Sequence, residues 1–317
     1  MSYDGTNRVR YLNGVSLGSG AFTSPIGYAA QSVLVGADYG ASPSYENAKC
    51  KIDDVRIYNS AISTSTMLQV YKANYRYRNT SNTALNDGLN TGLVGYWTFD
   101  GPDMVGGVAR DRSGNGNNGN LINIATSTFY TKGKIGQGGK FDGVNDYVNA
   151  GIGSSLNNLP SLTISVWVKA NTNATKNIVT KASGSSAGWQ LSLATTGIGA
   201  ISFTASFNAG ANNIRVITLN NFTSADFGKW VHIILTWDGS VTATNVHIYK
   251  NGVESSYNVQ TNGSGTYTSD ATKNLTIGAF DGGSREFPGS IDDVRIYNRA
   301  LSATEVKQLY NIGDYRI

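Results

Sequence analysis

One eight-residue motif that occurs twice constrains this chain more than any other feature. Residues 52–59 and residues 291–298 both read Ile-Asp-Asp-Val-Arg-Ile-Tyr-Asn. A shorter match precedes each copy at nearly the same offset, since Asn13-Gly14-Val15 corresponds to Asn251-Gly252-Val253. Self-similarity at a constant distance indicates that one structural unit has been duplicated.

The duplication predicts an incomplete copy followed by a complete one. Residues 1–78 match the last part of the unit, so we expect a C-terminal half-copy there. The stretch 79–91 is polar and rich in turn-forming residues, which predicts a linker. Residues 92–317 then form the complete copy, and Met1 falls inside a domain rather than at its natural start.

The composition favours a β-protein and argues against two classes of partner. Gly (38 residues) and Tyr (18 residues) are abundant, which suits turns and half-buried strands. The net charge of +4 is small, and Lys72–Arg78 is the single short basic run, so we expect no nucleic-acid partner. No apolar run approaches about 18 residues, so we expect no membrane insertion. The single cysteine, Cys50, has no partner for an internal disulfide.

Period-two alternation predicts the strands. Leu162, Ile164, Val166 and Val168 alternate with polar residues and Trp167, and the same pattern recurs in 201–207 and 231–237. The dipeptide Asn251-Gly252 is typical of a tight hairpin turn. Many short strands separated by polar turns predict an all-β fold, an antiparallel two-sheet sandwich.

One helix is predicted near the end of each copy. Ser302 and Glu305 form a capping box, and Val306, Leu309 and Tyr310 follow at helical spacing. The first copy has Thr66 where the second has Glu305, so its helix start should be weaker.

Six short motifs follow one another through the complete copy. They are 94–100 (Val-Gly-Tyr-Trp-Thr-Phe-Asp), 111–119 (Asp-Arg-Ser-Gly-Asn-Gly-Asn-Asn-Gly), 141–148 (Phe-Asp-Gly-Val-Asn-Asp-Tyr-Val), 162–168, 230–239 and 291–302. In this order they resemble the laminin-G-like, concanavalin-A-like lectin/glucanase superfamily in its bacterial jelly-roll form. The resemblance implies a jelly-roll sandwich of six or seven strands per sheet, with the first and last strands adjacent. It also implies an extracellular or cell-surface location.

A calcium site is predicted from one Gly-broken loop. Oxygen-bearing side chains occupy alternate positions there: Asp111, Ser113, Asn115 and Asn117. This spacing lets carboxylate, amide and backbone oxygens converge on one hard cation. No Glu stands at the twelfth position, which excludes an EF-hand. In the alternative interpretation, Asp111 and Asn115 only form Asx-turns.

The resemblance extends the predicted ligand set. It implies that an acidic loop near the start of the domain approaches the Asp pair before the last strand. The expected ligands of a structural Ca²⁺ are then Asp100, Asp111, Asn115, and Asp292 or Asp293. Strict alternation would place Asp292 on the face of Val294 and Ile296, where a buried carboxylate needs a partner. The alternative is an Asp293–Arg295 pair on the solvent face.

A carbohydrate site is predicted from aromatic side chains, because a ring face stacks on the C–H groups of a sugar. Trp167 and Trp189 are the first candidates, and Tyr249 and Tyr257 come next. Trp167 stands out because it lies on the polar face of its strand pattern. Burial of these rings in the sandwich is the alternative.

The sequence offers little for catalysis. Glucanases of the resembled superfamily use a Glu-x-Asp-x-x-Glu strand, which this chain lacks. Asp281 and Glu286 flank Gly282-Gly283 and keep a divergent glycoside hydrolase open as an alternative. His232 and His247 lie inside predicted strands without a nucleophile motif.

We therefore expect a non-catalytic, calcium-stabilised carbohydrate-binding module whose partner is a polysaccharide or glycan. A structural or adhesive repeat that binds other surface proteins is the alternative from a different class.

Overall fold

The computed structural model describes residues 2–12, 15–21, 88–172, 174–182, 186–194 and 199–314, with isolated residues between 35 and 66. The chain divides into two compact units, Met1–Thr83 and Ala84–Ile317. The division lies within the predicted linker, 79–91. Most of the first copy of the repeated motif, and with it Cys50 and Lys72–Arg78, lies outside the described residues. The half-copy at 1–78 therefore stays a prediction.

The first unit contains a three-stranded antiparallel meander. Its strands are β1 (Ser2–Tyr3), β2 (Asn7–Leu12) and β3 (Val15–Ala21). Asp4 closes the first turn, because its Oδ1 accepts hydrogen bonds from the backbone N–H groups of Thr6 and Asn7. These backbone bonds lower the pKa of Asp4. In the complete copy, Asp238 accepts from Ser240 N in a similar turn.

The described part of the second unit contains eighteen strands and two α-helices of the following residues. They are β4 (Leu93–Trp97), β5 (Met104–Val105), β6 (Val108–Ala109), β7 (Gly119–Ile122), α1 (Thr126–Phe129), β8 (Tyr130–Lys132), β9 (Gln137–Asp142), β10 (Tyr147–Gly151), β11 (Leu162–Ala170), β12 (Lys176–Ala182), β13 (Gly188–Ala194), β14 (Ala200–Ala205), β15 (Ile214–Thr218), β16 (Val231–Trp237), β17 (Val246–Lys250), β18 (Val253–Glu254), β19 (Tyr257–Thr261), β20 (Leu275–Ile277), β21 (Pro288–Tyr297) and α2 (Ala303–Asp314).

These strands form two antiparallel sheets. The ten-stranded sheet has the order β19-β15-β14-β13-β12-β20-β10-β7-β6-β5. The eight-stranded sheet has the order β18-β17-β16-β11-β21-β9-β8, and β4 also pairs with β21. The prediction of an all-β antiparallel sandwich with one short C-terminal helix is confirmed for this copy. Both sheets exceed the expected six or seven strands because short ladders such as β5–β6 extend their edges.

The main core lies between the inner faces of the two sheets. Leu162, Ile164, Val166 and Val168 of β11 are all fully buried in it, as their alternation predicts. The predicted hairpin turn joins β17 to β18, with φ of 51° at Asn251 and 76° at Gly252. Left-handed values at both turn residues match the right-handed twist of the flanking strands.

Helix α2 covers the outer face of the eight-stranded sheet. The predicted capping box forms: Ser302 Oγ accepts from Glu305 N at 3.3 Å, and Glu305 Oε2 accepts from Ser302 N at 2.9 Å. Hydrogen bonds from Arg299 lower the pKa of Glu305 to about 2. Val306 and Leu309 of the helix pack against Ile234, Tyr249 and Tyr297 of the sheet and form a second apolar cluster.

A stack of three rings lies where the C-terminal end of α2 meets the sheet. Trp167 and His232 are stacked with centroids 4.6 Å apart, and the Tyr310 ring lies 5.9 Å from that of Trp167. A β-carbon on Gly313 would lie 2.4 Å from the Trp167 ring, so the helix approaches this closely only because residue 313 is glycine.

The first and last strands of the domain are adjacent, as the resemblance implies. Leu93 of β4 pairs with Tyr297 of β21. Asn298 N donates to Gly92 O at 2.8 Å, and the Arg299 guanidinium donates to the carbonyl oxygens of Gly88 and Thr91. The chain therefore enters and leaves the domain at one place.

Burial of His232 predicts an acid-sensitive fold. Burial, together with the charges of Arg295 and Lys134, lowers the pKa of His232 to about 3, whereas a free histidine titrates near 6.5. The neutral His232 ring therefore makes its full contribution to the free energy of unfolding above about pH 6.5. This contribution decreases as the pH falls toward 3. Between pH 7 and pH 5 we expect a loss of about 2 kcal/mol in the free energy of unfolding.

Urea unfolding at the two pH values measures this loss, and His232→Gln is the comparison. The variant should be less stable at pH 7, but its stability should decrease less between pH 7 and pH 5. An unchanged pH dependence in the variant would assign the acid sensitivity to other groups.

Candidate functional site

Strand β21 contains a β-bulge that changes which of its side chains face the core. Asp293 has φ of 49°, and the pairing with β11 shifts by one residue at this point. Ile291 and Val294 both lie in the main core, although they are three residues apart. The expectation that Asp292 shares the face of Val294 is therefore wrong, because the extra residue at Asp293 breaks the alternation. Asp292 pairs with Trp167 on the outer face.

The Asp293–Arg295 pair forms, but it is buried rather than exposed to solvent. The distance from Arg295 Nη2 to Asp293 Oδ1 is 3.2 Å, and the two side chains are 12% and 5% exposed. Arg295 Nη2 also donates to Tyr96 Oη, and the guanidinium lies over the Tyr96 ring. The Asp293 carboxylate is therefore paired with the Arg295 guanidinium.

Asp292 is a buried carboxylate with one unpaired oxygen. Its Oδ2 accepts from the backbone N–H of Ile135 at 2.8 Å, whereas its Oδ1 has no hydrogen-bond partner. Burial, followed by the nearby carboxylates of Asp293 and Asp100, raises the pKa of Asp292 well above its usual value. Two of the predicted calcium ligands, Asp100 and Asp292, therefore lie near each other.

One short loop lies next to both of these carboxylates. Asp100 Oδ1 accepts from Gln137 N at 2.8 Å, two residues along the chain from Ile135. A β-carbon on Gly133 would lie 2.6 Å from Asp292 Oδ2, so the loop packs closely on this carboxylate. The arrangement fits a cation, because a positive charge would offset the mutual repulsion and give Asp292 Oδ1 a partner.

Both carboxylate oxygens of Asp111 accept hydrogen bonds from the protein itself, as the Asx-turn alternative predicts. Its Oδ1 accepts from Tyr96 N and Ser113 N, and its Oδ2 accepts from Ser113 Oγ and Asn117 N. Four donors occupy the hydrogen-bonding positions of this carboxylate. The Asn115 side chain donates its amide to Leu93 O and Ser113 Oγ.

The structure thus brings Asp100 and Asp292 together and uses Asp111, Asn115 and Asp293 in other contacts. Within the described ranges, no three Asp, Glu, His or Cys side chains are grouped so as to hold a metal ion. A cation at this place would depend on Asp100, Asp292 and further oxygens from the backbone or from water.

The predicted aromatic platform is largely buried. Trp167 is 1% exposed under helix α2, and Trp189 is 2% exposed in the main core. Tyr249 belongs to the second apolar cluster. Tyr257 is half-buried, and its Oη donates to Glu254 and accepts from Ile248 N. In this conformation the two tryptophans present no ring face to a ligand.

The outer face of the ten-stranded sheet carries a set of polar side chains that the sequence interpretation did not single out. Cross-strand pairing aligns them in two rows over β12, β13 and β14. We call the following six residues the polar patch: Asn177, Thr180, Gln190, Ser192, Ser202 and Thr204. All six carry amides or hydroxyls and none is charged. Uncharged donors and acceptors of this kind match the hydroxyl groups of a sugar.

Several polar atoms of the polar patch have no hydrogen-bond partner. They are Nδ2 and Oδ1 of Asn177, Oγ1 of Thr180 and Oε1 of Gln190. Asn177 and Thr180 are completely buried, whereas Gln190 and Thr204 are half-buried. An unpaired buried polar group costs about 1–3 kcal/mol, so a cluster of four such atoms needs an explanation.

The signal for the polar patch is present in the sequence but incomplete. Gln190, Ser192, Ser202 and Thr204 occupy the polar positions of alternating strands, which are typical of any solvent-facing side. The register shift between Asn177 and Val179 brings Asn177 onto the same face as Thr180, and alternation does not predict such a shift.

Asp281 and Glu286 flank Gly282-Gly283 in an exposed loop. Both carboxylate oxygens of Asp281 accept from Asn274 Nδ2, at 3.0 and 3.1 Å. Glu286 is half-buried. His232 Nε2 lies 2.9 Å from Ser165 Oγ, but both residues are buried under α2.

Known proteins resemble the second unit. The family described as the concanavalin A-like lectin/glucanases superfamily matches residues 142–307, just over half of the chain. The adhesion G-protein coupled receptor V1 of Danio rerio is 23% identical over 156 residues, which are 48% of this chain and 2% of the receptor. This chain thus spans a very small part of that relative's length.

Two solved structures are similar to this chain at low identity. The binding domain of Paraclostridial Mosquitocidal Protein 1 has a TM-score of 0.50 at 18% identity, with 70% of this chain and 52% of that one covered. Domain 4 of AbnA, an extracellular arabinanase from Geobacillus stearothermophilus solved with arabinotriose, has a TM-score of 0.47 at 22% identity. The match covers 69% of this chain and 98% of that one.

Among the described residues, no helix is both long enough and apolar enough to cross a membrane.

Because the Asp293–Arg295 pair is buried, replacing Asp293 with Asn should lower the stability of the protein strongly. Asp293→Asn keeps a residue that tolerates the left-handed backbone, but it leaves the Arg295 charge buried without its counterion. We expect the free energy of unfolding to fall by about 3 kcal/mol. Urea unfolding measures it.

The matched control is Glu254→Gln, which breaks the pair with His247, where both side chains are 43% exposed. An exposed pair contributes at most about 1 kcal/mol. Equal losses in the two variants would contradict the assigned role of Asp293.

Proposed function

The chain belongs to the concanavalin A-like lectin/glucanases superfamily, and from this premise we propose that residues 92–317 are a non-catalytic carbohydrate-binding module of a secreted or cell-surface protein. The observation that carries the proposal is the polar patch with its four unpaired atoms. Sugar hydroxyls both donate and accept hydrogen bonds, so one ligand class can satisfy the amides and the hydroxyls of the polar patch together.

The ligand would enter where the polar patch is open. Gln190 and Thr204 are partly accessible, and Arg215 and Thr261, which continue their row on β15 and β19, are exposed. In the proposed complex a glycan lies along this row and contacts the accessible part of the Gln190 side chain first. Gln190 Oε1 and the Thr180 hydroxyl beside it are buried in the free protein, so the Gln190 side chain must move outward before the glycan hydroxyls reach them.

Thr180→Val separates a binding role from a structural one, because the two roles predict opposite effects on stability. Valine replaces an unpaired buried hydroxyl with a methyl group of similar size. The free protein should therefore become more stable by about 1 kcal/mol. Glycan affinity should fall about fivefold or more, the loss of one hydrogen bond.

Thr163→Val is the matched control in the other sheet. Thr163 Oγ1 donates to Arg299 O and accepts from Leu301 N, so its loss should destabilise the fold and leave glycan affinity unchanged. Binding is measured on a polysaccharide array and by calorimetry on the best hit. Absence of binding to every polysaccharide, or unchanged affinity in Thr180→Val and Gln190→Ala, would refute the proposed site.

We further propose that a calcium ion stabilises the module beside Asp292 and Asp100. The supporting observation is Asp292 Oδ1, a buried carboxylate oxygen without a partner. When bound, the ion would supply positive charge to two carboxylates that otherwise repel each other. Its role is structural, because the polar patch lies on the other sheet.

Replacement of Asp292 with Asn tests the calcium proposal. We expect wild-type thermal stability to rise on addition of CaCl₂ and to fall in EDTA. Asp292→Asn removes the repelled charge, so the metal-free variant should be more stable than the metal-free wild type at neutral pH. It should also lose the response to calcium.

Asp111→Asn is the control for a predicted ligand whose hydrogen bonds come from the protein itself. It should lower the melting temperature in calcium and in EDTA alike. A wild-type melting temperature that is the same in both would contradict the calcium proposal, and a loss of the calcium response only in Asp111→Asn would move the site to the Asx-turn.

A further inference from the structure

A loop next to the polar patch carries an arginine in a strained backbone conformation. Arg285 has φ of 53°, a left-handed conformation that is strained for a residue with a β-carbon. Gly282 and Gly283 of the same loop have φ of 83° and 77°. Such strain persists only where surrounding contacts hold it, and it concentrates at ligand-binding positions.

The backbone of Arg285 is bonded directly to the polar patch. Its carbonyl accepts from the N–H of Asn177 at 2.9 Å. Asn177 is the residue of the polar patch whose side-chain amide has neither its donor nor its acceptor satisfied. The strained position therefore brings a cationic residue beside an unpaired buried amide.

The side chain of Arg285 is exposed and has no ion pair with any described acidic residue. Its guanidinium lies over the Phe280 ring, 5.2 Å from the centroid, which limits its orientations. Asp281, one of the two acidic residues of the loop, accepts hydrogen bonds from the Asn274 amide instead. The charge of Arg285 is thus oriented but not neutralised within this part of the chain.

We propose that the glycan bound at the polar patch carries an anionic group, a carboxylate or a sulfate, and that Arg285 binds it. This inference rests on the proposed carbohydrate function and adds the ligand class. A planar guanidinium binds an oxyanion through two parallel hydrogen bonds, and stacking on an aromatic ring reduces the entropy lost on binding. Asn177, whose backbone N–H donates to the Arg285 carbonyl, is the neighbouring neutral residue of the polar patch.

Two matched pairs of polysaccharides test the charge requirement. Polygalacturonate is compared with its fully methyl-esterified form, and dextran sulfate with dextran, so the carboxylate and the sulfate are tested separately. We expect wild-type protein to bind the charged member of at least one pair about tenfold more tightly, the contribution of one charge-assisted hydrogen bond. Moderate salt should reduce this difference.

Arg285→Gln should remove the preference for the charged member, and Arg285→Lys should restore part of it. Arg110→Gln is the matched control, because Arg110 is also an exposed arginine but follows β6, which β20, β10 and β7 separate from the polar patch on β12. It should keep the wild-type preference within about twofold. Arg285→Gly, which relieves the strained φ, should be at least as stable as wild type and still lose the preference.

The possible outcomes separate the inference from the function it rests on. Equal wild-type affinity for charged and neutral members, or equal effects of Arg285→Gln and Arg110→Gln, overturns the anionic ligand and leaves the carbohydrate function standing. Binding to none of the four polysaccharides nor to any member of the wider array overturns both.

Discussion

The pairing of strand β21 determines much of the arrangement described here. It forms hydrogen bonds with β11, β9 and β4, so three parts of the domain take their register from one strand. The bulge at Asp293 sends Asp292 to the outer face and keeps Ile291 and Val294 in the core. The same bulge places the Asp293 carboxylate against Arg295. One left-handed residue thus sets the core packing, a buried ion pair and the unpaired oxygen of Asp292.

The sequence predicts what depends on regular periodicity. Alternation in β11 and β16 predicts their inward faces, the Asn251-Gly252 dipeptide predicts its hairpin, and the Ser302–Glu305 spacing predicts the start of α2. It does not predict the bulge in β21 or the shift in β12, because a single extra residue depends on tertiary packing. For the same reason alternation predicts the wrong face for Asp292 and does not indicate that Asn177 belongs to the polar patch.

For the candidate ligand site, too, the sequence predicts the strand pattern but not the tertiary packing. Trp167 lies on the polar side of its strand pattern, and sequence alone interprets that as exposure to a ligand. The ring is instead covered because α2 folds back over this sheet and Gly313 allows close contact. The outer faces of the two sheets therefore differ in kind. Helix α2 and the second apolar cluster cover the outer face of the eight-stranded sheet. The outer face of the ten-stranded sheet carries amides and hydroxyls, and no helix of the described residues packs on them.

The adjacency of β4 and β21 has a mechanical consequence. Leu93, at the beginning of β4, pairs with Tyr297, at the end of β21, so once α2 has detached, a pull on the two ends of the domain loads the Leu93–Tyr297 end of this ladder first. Force applied in that direction breaks the hydrogen bonds one after another, as in unzipping, rather than all together in shear. The contacts of Arg299 with Gly88 and Thr91 lie outside that first pair and act as a clasp. Within a longer chain under tension, this clasp would yield before the core of the sandwich is disturbed.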